Sequence, residues 1–134
     1  PLPGNVRSII ADSPYSSPAA ILGKVSRDMG LPEKPALAMM RFGAALFGGF
    51  SFDGVNCMEA VKHTRVPILL IHGEEDRFVP LEMSREIAAA NPEMIRLVTF
   101  PGAGHGLSYL TDTERYRHEV SEFCRRAQKI NSDS

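Results

Sequence analysis

The distribution of apolar and polar positions along the 134-residue chain predicts three short strands separated by helices. Residues 68–71 are the unbroken run Ile-Leu-Leu-Ile, with Pro67 before it and Gly73 closing it. A run this short, bounded by Pro and Gly, is typical of a strand buried on both faces in a parallel sheet. Residues 6–11 and 94–100 also read as strands, so we expect a sheet of three.

Apolar residues at helical spacing lie between the predicted strands. Ser17 and Pro18 begin a first helix, because a hydroxyl acceptor at the cap and Pro at the first helical position both suit a helix start. Gly30 ends this helix. A second helix over residues 32–47 and a third over 56–62 precede the central strand.

Local motifs mark further helix starts. Glu59 lies at the capping-box distance from Asn56, and Thr111 and Glu114 form a second such pair before a long final helix. Pro80 suits the first turn of a helix that follows the central strand. The resulting order of strand, helices, strand, helix, strand, helix predicts an α/β fold, with a parallel sheet between two layers of helices.

The composition narrows the class of protein. Fifteen basic and sixteen acidic residues nearly balance at a net charge of −1, so no basic surface points to nucleic acid. Cys57 and Cys124 are far apart and show no metal-binding spacing, which favours free thiols in a reducing compartment. The apolar stretch 42–52 is too short to cross a bilayer, and no signal peptide opens the chain. We therefore expect a cytoplasmic protein.

Side chains that can carry chemistry follow the second and third predicted strands. Glu74, Glu75 and Asp76 come directly after the central strand, and His105 lies in the loop P-G-A-G-H-G after the next. Two successive parallel strands joined by a right-handed crossover bring their exit loops side by side, at the edge where ligands bind. We expect the Asp76 carboxylate to hold a ring N–H of His105.

The other histidines have simpler interpretations. His72 ends a buried strand and is predicted to be a hydrogen-bonded structural residue, whereas His63 and His118 lie on helices and are predicted to be solvated. A metal site formed by His72 with residues 74–76 has suitable ligand types. However, consecutive residues in a tight turn do not easily converge on one ion, and we expect no metal and no cofactor.

Two stretches together resemble the α/β-hydrolase superfamily: P-I-L-L-I-H-G-E-E-D-R-F-V-P and, about thirty residues later, F-P-G-A-G-H-G. They are similar to its last two strand–loop units, which carry the catalytic acid and then the catalytic histidine. The opening L-P-G-N-V-R-S-I-I-A-D-S-P-Y-S-S is similar to its sixth strand. The resemblance is greatest to bacterial serine hydrolases of the esterase and acyl-peptidase type. It covers the C-terminal half of that fold and implies Asp76 as acid and His105 as base.

The same resemblance divides the chain. Residues 13–65 are similar to the helical cap that α/β hydrolases insert after their sixth strand, and residues 66–134 are similar to the units bearing acid and histidine. Large apolar residues in the cap-like part would either pack on the sheet or wall a pocket for an acyl or aromatic substrate: Met39, Met40, Phe42, Leu46, Phe47, Phe50 and Phe52.

Three carboxylates compete with Asp76 for the role of the acid. Glu74 and Glu75 adjoin it, but the G-x-x-D spacing from Gly73 favours Asp76. Asp12 is the third, because some members of the superfamily carry the acid after the sixth strand.

Serine chemistry in this fold needs a nucleophile on a G-x-S-x-G elbow, and the sequence contains none. The nearest string, G-F-S-F-D over residues 49–53, lacks the last glycine and follows a helix. Because the oxyanion-hole donors lie near the elbow and in an earlier loop, they are missing too. We therefore expect the acid–base half of a serine hydrolase of ester, thioester or amide bonds, inactive alone.

The expected partners are an acyl or peptide substrate and the missing N-terminal half of the same fold. Self-association of the isolated fragment is also expected. A different hypothesis is a self-contained α/β binding or regulatory domain without catalysis. A G-x-S-x-G encoded just upstream of Pro1 would favour the hydrolase, and a start codon without that motif would favour the binding domain.

Overall fold

A computed structural model of the chain describes residues 5–51 and 57–132, with side chains described as far as Lys129. Strands and helices alternate along this part of the chain in the predicted order. In sequence they are β1 (Ile9–Asp12), α1 (Pro18–Asp28), α2 (Glu33–Gly43), a π-helical turn (Ala44–Gly48), α3 (Cys57–Lys62), β2 (Ile68–Gly73), α4 (Leu81–Ala90), β3 (Ile95–Phe100), α5 (Ser108–Thr111) and α6 (Thr113–Ser132).

The three strands form one parallel sheet in the order β1-β2-β3. Ile68 of β2 pairs with Ile9 of β1 on one side and with Ile95 of β3 on the other. Every residue of β2 is buried, as its uninterrupted apolar run predicts. The predicted α/β fold class, with a three-stranded parallel sheet, is therefore confirmed.

Helices cover both faces of the sheet. On one face, Phe123 of α6 packs over side chains from β2, β3 and the following loop: Leu69, Ile71, Val98, Phe100 and Ala103. On the other face, Ile87 of α4 packs over the alternate residues of the same strands, Ile68, Leu70 and Ile95, with Met58 and Val61 of α3 at the margin. Burial of each large aliphatic side chain contributes about 1.5–3 kcal/mol to the stability of the folded state. These two cores therefore stabilise the sheet whose carboxyl edge carries the polar loops.

The outer strands are shorter than the sequence pattern predicts. The first strand covers Ile9–Asp12 and not residues 6–11, so Asp12 lies inside the strand, opposite Ile71. The pairing begins where the Ile9 N–H donates to the Pro67 carbonyl, 3.0 Å away. Because β2 itself begins at Ile68, residues before Ile9 have no ladder partner there. The third strand starts at Ile95, one residue later than predicted.

Predicted helix starts hold in one case and shift in others. The Ser17 hydroxyl accepts the Ala20 N–H at 3.1 Å, so the first cap is confirmed. Pro80 is the residue before α4 and has an extended ψ of 136°, so it precedes the first helical turn. Asn56 and its capping box lie outside the described residues.

The predicted Thr111–Glu114 capping box is wrong. Thr111 is the last residue of α5, a short helix that the sequence pattern did not reveal, and its hydroxyl donates to the Leu107 carbonyl at 2.9 Å. The side chain that caps α6 is Asp112, whose Oδ1 accepts the N–H of Arg115, the third helical residue, at 3.0 Å. A carboxylate one residue later therefore takes the cap position.

Five large apolar side chains of α2, the π-helical turn and the segment after it are more than half exposed: Met39, Phe42, Leu46, Phe47 and Phe50. For these five, the expectation of packing on the sheet is wrong, whereas Met40 is partly buried. Phe52 lies outside the described residues. Within the described ranges, no helix combines the length and apolar character needed to cross a bilayer.

Candidate active site

The loops that leave β2 and β3 are joined by backbone hydrogen bonds. The Glu74 N–H donates to the Phe100 carbonyl at 3.0 Å, and the Glu75 N–H donates to the Ala103 carbonyl at 2.9 Å. The contact requires Gly73, because a Cβ there would lie 2.3 Å from the Ala103 carbonyl oxygen. The two loops are thus fixed against each other at the carboxyl edge of the sheet.

Asp76 lies in the first of these loops with its side chain fully buried. Its Oδ1 accepts the backbone N–H groups of Phe78 at 2.9 Å and Val79 at 2.8 Å, and its Oδ2 lies 2.8 Å from His105 Nδ1. Burial raises the pKa of the Asp76 carboxyl, but the hydrogen bond from His105 and the two backbone N–H groups outweigh that effect. The net result is a pKa below the ordinary value, so the carboxylate is charged at neutral pH.

His105 projects from the second loop with 45 % of its side chain exposed. Because a carboxylate can only accept, Nδ1 donates to Asp76 Oδ2, and in the neutral ring Nε2 is left as the free acceptor. The Phe78 ring packs against the imidazole at a centroid distance of 5.1 Å. Gly106 follows in the left-handed conformation, with φ of 65°, which a residue with a Cβ rarely adopts.

A contact that sequence reasoning missed ties the histidine loop to the first strand. The buried Ser13 hydroxyl accepts the Gly106 N–H at 3.2 Å, across 93 residues of sequence. Ser13 has a φ of 51°, uncommon for a residue other than glycine, so its conformation is held by surrounding contacts. No local sequence signal predicts this pairing, because the two residues meet only when β1 and β3 are placed in one sheet.

The competing carboxylates lie elsewhere. Glu74 accepts the Thr99 hydroxyl at 2.7 Å, and Glu75 is exposed. Asp12 interacts with Tyr116 of α6, whose pKa is raised by burial and then by the charge and hydrogen bond of Asp12. The structure therefore brings Asp76 to His105 and directs the three alternatives elsewhere. The assignment of Asp76 and His105 as the catalytic pair stays a prediction.

His72 and His118 have the surroundings expected for them, whereas His63 is solvated as expected but lies in the turn after α3 and not on a helix. His72 is completely buried and its two ring nitrogens contact Ser84 and Val79. His63 and His118 are exposed. No three metal-ligating side chains come together in the described part of the chain.

The His105 ring is hydrogen-bonded through Nδ1 to Asp76 Oδ2. Ser13 comes close through the neighbouring peptide of Gly106, but its hydroxyl is directed to Asp12 Oδ1 at 3.3 Å. The segment G-F-S-F-D over residues 49–53, which comes nearest to the nucleophile-elbow motif, lies partly outside the described residues.

An apolar cavity of about 310 Å³ lies between α1 and the acid loop. Its walls come from α1, the segment before it and the acid loop: Tyr15, Pro18, Ile21, Leu22, Val25 and Phe78. Phe78 links the cavity to the site, since its ring also packs against His105. None of the described apolar residues of α2 that were expected to wall a pocket lines this cavity.

Comparison with solved structures defines the class of protein. The chain superposes on the esterase Pf2001 of Pyrococcus furiosus with a TM-score of 0.61 and 21 % identity, covering 89 % of this chain and 44 % of that one. It also superposes on Rv0554 of Mycobacterium tuberculosis with a TM-score of 0.56 and 18 % identity, covering 89 % and 57 %. The fold is therefore that of part of an α/β hydrolase, as the sequence resemblance implied.

Within that class, the family profile described as Serine hydrolase (FSH1) matches residues 16–107, and the chain belongs to this family. It is 33 % identical over 78 residues to the bifunctional esterase/perhydrolase DCH of Acinetobacter calcoaceticus, covering 58 % of this chain and 28 % of that protein. It is 24 % identical over 115 residues to YqkD of Bacillus subtilis, covering 85 % and 38 %. The chain thus spans about a third of the length of these curated relatives.

Proposed function

We propose that this chain supplies the general base and its orienting acid to a serine hydrolase of ester, thioester or amide bonds. The observation that carries the proposal is the 2.8 Å hydrogen bond from the half-exposed His105 ring to the fully buried Asp76 carboxylate. Such a pair, at the carboxyl edge of a parallel sheet, is the orienting half of a catalytic triad. Membership of a serine hydrolase family supports it.

In the proposed mechanism, Asp76 keeps the proton of the neutral His105 ring on Nδ1 and leaves Nε2 to act as base. Nε2 takes the hydroxyl proton of the nucleophilic serine as the serine oxygen attacks the substrate carbonyl. The imidazolium is stabilised by the Asp76 charge and returns the proton to the leaving alcohol, thiol or amine. A water molecule then attacks the acyl-enzyme. Nε2 takes a proton from this water and gives it to the serine oxygen as the acid product leaves.

The nucleophile and the oxyanion hole are proposed to come from residues outside this chain. The sequence has no G-x-S-x-G elbow, and the curated relatives are about three times as long as the matched region. A base acts only on a hydroxyl within hydrogen-bond reach, about 3 Å, or through one water. We therefore expect the 134-residue chain to be inactive alone.

The proposed substrate carries an uncharged apolar acyl or aromatic group. The cavity of about 310 Å³ between α1 and the acid loop is walled almost entirely by carbon, and its Phe78 wall contacts the imidazole. An apolar group bound there would place its carbonyl next to the base. A charged group would be desolvated in the cavity without a partner, at a cost of several kcal/mol.

Labelling with a fluorophosphonate probe tests the catalytic assignment. The chain, the protein encoded by the complete reading frame, and that protein with His105→Ala are compared, and His63→Ala serves as a matched histidine control. Labelling is expected for the complete protein and the His63 variant and is expected to fail for the His105 variant and the chain alone. Stoichiometric labelling of a serine within the 134 residues would contradict the proposal.

Filling the cavity tests the substrate class. Val25→Phe is expected to lower kcat/KM of the complete protein for a medium-chain p-nitrophenyl ester by about tenfold or more, because a few methylene-sized changes in an apolar pocket have effects of this size. Activity on p-nitrophenyl acetate is expected to change little. Met39→Phe, at an exposed position that does not line the cavity, is the control. An equal loss on both esters would show that the cavity does not hold the acyl group.

A further inference from the structure

One buried titratable group has no part in the mechanism above. His72, the penultimate residue of β2, has no solvent-exposed surface. A buried imidazole is costly unless its ring nitrogens are hydrogen-bonded. Both are: Nδ1 lies 2.6 Å from the Ser84 hydroxyl of α4, and Nε2 lies 2.9 Å from the Val79 carbonyl oxygen. The ring therefore joins the strand, the acid loop and the following helix.

These partners assign the tautomer of the ring. A carbonyl oxygen can only accept, so the hydrogen is on Nε2 and is directed at Val79. In the neutral ring Nδ1 is then an acceptor, and the Ser84 hydroxyl, which can donate, supplies its hydrogen. Ser84 is itself fully buried, so this arrangement has no competition from water.

The same Nε2 also lies near the proposed catalytic acid. Nε2 lies 3.3 Å from Asp76 Oδ2, the oxygen that also accepts from His105 Nδ1 at 2.8 Å. Oδ1 is occupied by the Phe78 and Val79 N–H groups. The carboxylate is thus fixed by two backbone donors at one oxygen and lies between two imidazole rings at the other.

We propose that His72 is a positioning residue for the acid: its Nε2–H, shared between Val79 and Asp76, fixes Oδ2 in the direction of His105, and Ser84 keeps the ring in that tautomer. The catalytic consequence rests on the function proposed above. The geometric claim does not, because it concerns only contacts within residues 72–105 of this chain.

The first test needs no variant. In ¹⁵N-labelled chain, long-range ¹H–¹⁵N correlation spectra distinguish the two tautomers of each histidine. The expected result is a proton on Nε2 of His72. A proton on Nδ1 of His72 and none on Nε2 would overturn the proposal, because the ring could then not donate to either Val79 or Asp76.

The second test removes the donor. His72→Phe keeps a ring but no N–H, whereas His72→Gln can place an amide N–H near the position of Nε2. Carboxyl ¹³C titration is expected to show a higher pKa for Asp76 in the Phe variant, because its charged form loses a donor, and a return toward the original value in the Gln variant. His63→Phe, at an exposed turn position just after α3, is the control and is expected to leave that pKa unchanged.

In the complete enzyme, His72→Phe is expected to lower kcat by about tenfold to a hundredfold with little change in KM, the range that corresponds to one hydrogen bond to a charged group. His72→Gln is expected to have a kcat close to that of the unmodified enzyme. A folded Phe variant with an unchanged Asp76 pKa would show that His72 only fills space. If His72 shows the expected tautomer and Asp76 the expected pKa response, but the complete protein has no hydrolase activity, the proposed function is refuted and the positioning role stands.

Discussion

The Asp76 carboxylate has four nitrogen neighbours, three from residues close to it in sequence and one from His105 in the next exit loop. Its Oδ1 accepts two backbone N–H groups, and Oδ2 lies near ring nitrogens of His72 and His105. Full burial of the side chain would by itself raise its pKa, but the hydrogen bonds from His105, Val79 and Phe78 keep the pKa low and the group ionised. A buried anion directed at a half-exposed imidazole can stabilise positive charge on that ring.

The first prediction concerns this carboxylate in the complete protein. Asp76→Asn keeps the shape of the side chain but offers its N–H as readily as its carbonyl to His105, so the wrong imidazole tautomer is favoured. We expect kcat to fall by a factor approaching ~10⁴, by analogy with the same change in a catalytic triad. Steady-state kinetics on an activated ester would measure it.

Asp12→Asn is the matched control, since Asp12 interacts with Tyr116 and not with the histidine. It is expected to cost far less activity. If the two effects were reversed, the acid would be Asp12 and the assignment made here would be wrong.

The stability of the chain should also depend on Asp76 at acidic pH. Its folded-state pKa lies below the unfolded value, near 3.8. The stabilisation is therefore fully present above that value and is lost as the pH falls through the folded pKa. We expect the difference in unfolding free energy between the chain and Asp76→Asn, measured by urea denaturation, to shrink between pH 5 and pH 3. A difference that stays constant over this range would contradict the charge-based account.

Among the structural elements, the contact between the loops after β2 and β3 depends on one missing side chain. Gly73→Ala would place a Cβ 2.3 Å from the Ala103 carbonyl oxygen, a backbone atom that cannot rotate away. We expect a loss of about 1–3 kcal/mol in unfolding free energy, as for other overpacked sites, together with a weaker Asp76–His105 hydrogen bond. Urea denaturation and the His105 ring ¹⁵N shifts would measure the two effects.

Gly104→Ala, in the adjoining loop, is the control for that substitution. Its Cβ would meet only Leu107 Cδ1 at 3.5 Å, an ordinary contact. We expect a change of no more than about 0.5 kcal/mol. Similar losses in both variants would mean that the loops tolerate no substitution at all, and that the close approach at Gly73 has no special effect.

For the whole molecule, the first strand leaves a sheet edge without a neighbour among the described residues. In the observed register Ile10 shares a face with Leu69, yet Ile10 is 39 % exposed where Leu69 is fully buried. The cover that α6 gives to β2 and β3 is therefore incomplete at β1, where Tyr116 contacts Asp12 but Ile10 stays exposed. Open strand edges with apolar side chains pair with other chains.

We expect the isolated chain to self-associate through this edge or through the exposed apolar side chains of α2. Light scattering across a concentration series should show a mass above that of the monomer. Ile10→Lys is expected to weaken the association if the strand edge mediates it, and Leu110→Lys, at an exposed position on α5, serves as control. A monomer at high concentration would refute the expectation.

Much of the fold is encoded locally. The run at 68–71 predicts a fully buried central strand, and Ser17 with Pro18 predicts a helix start; both hold because burial and capping depend on neighbouring residues. The predicted cap at Thr111 is wrong for a reason that is also local: Asp112, one residue later, competes as the acceptor and takes the cap position. Strand ends in β1 and β3 shift because pairing, and not propensity, sets them.

By itself, the sequence determined the α/β order of elements and placed an acid and a histidine in successive exit loops. Both follow from hydrophobic periodicity and from the turns and helix ends set by Gly and Pro, which depend on only a few neighbouring residues. Only the tertiary structure decided which atoms meet. The bond of Ser13 to Gly106 spans 93 residues, and the contact of His72 with the acid depends on how the loop folds back over the strand end. Such contacts follow from strand register and close packing, which sum interactions over the whole chain, and no local pattern encodes them.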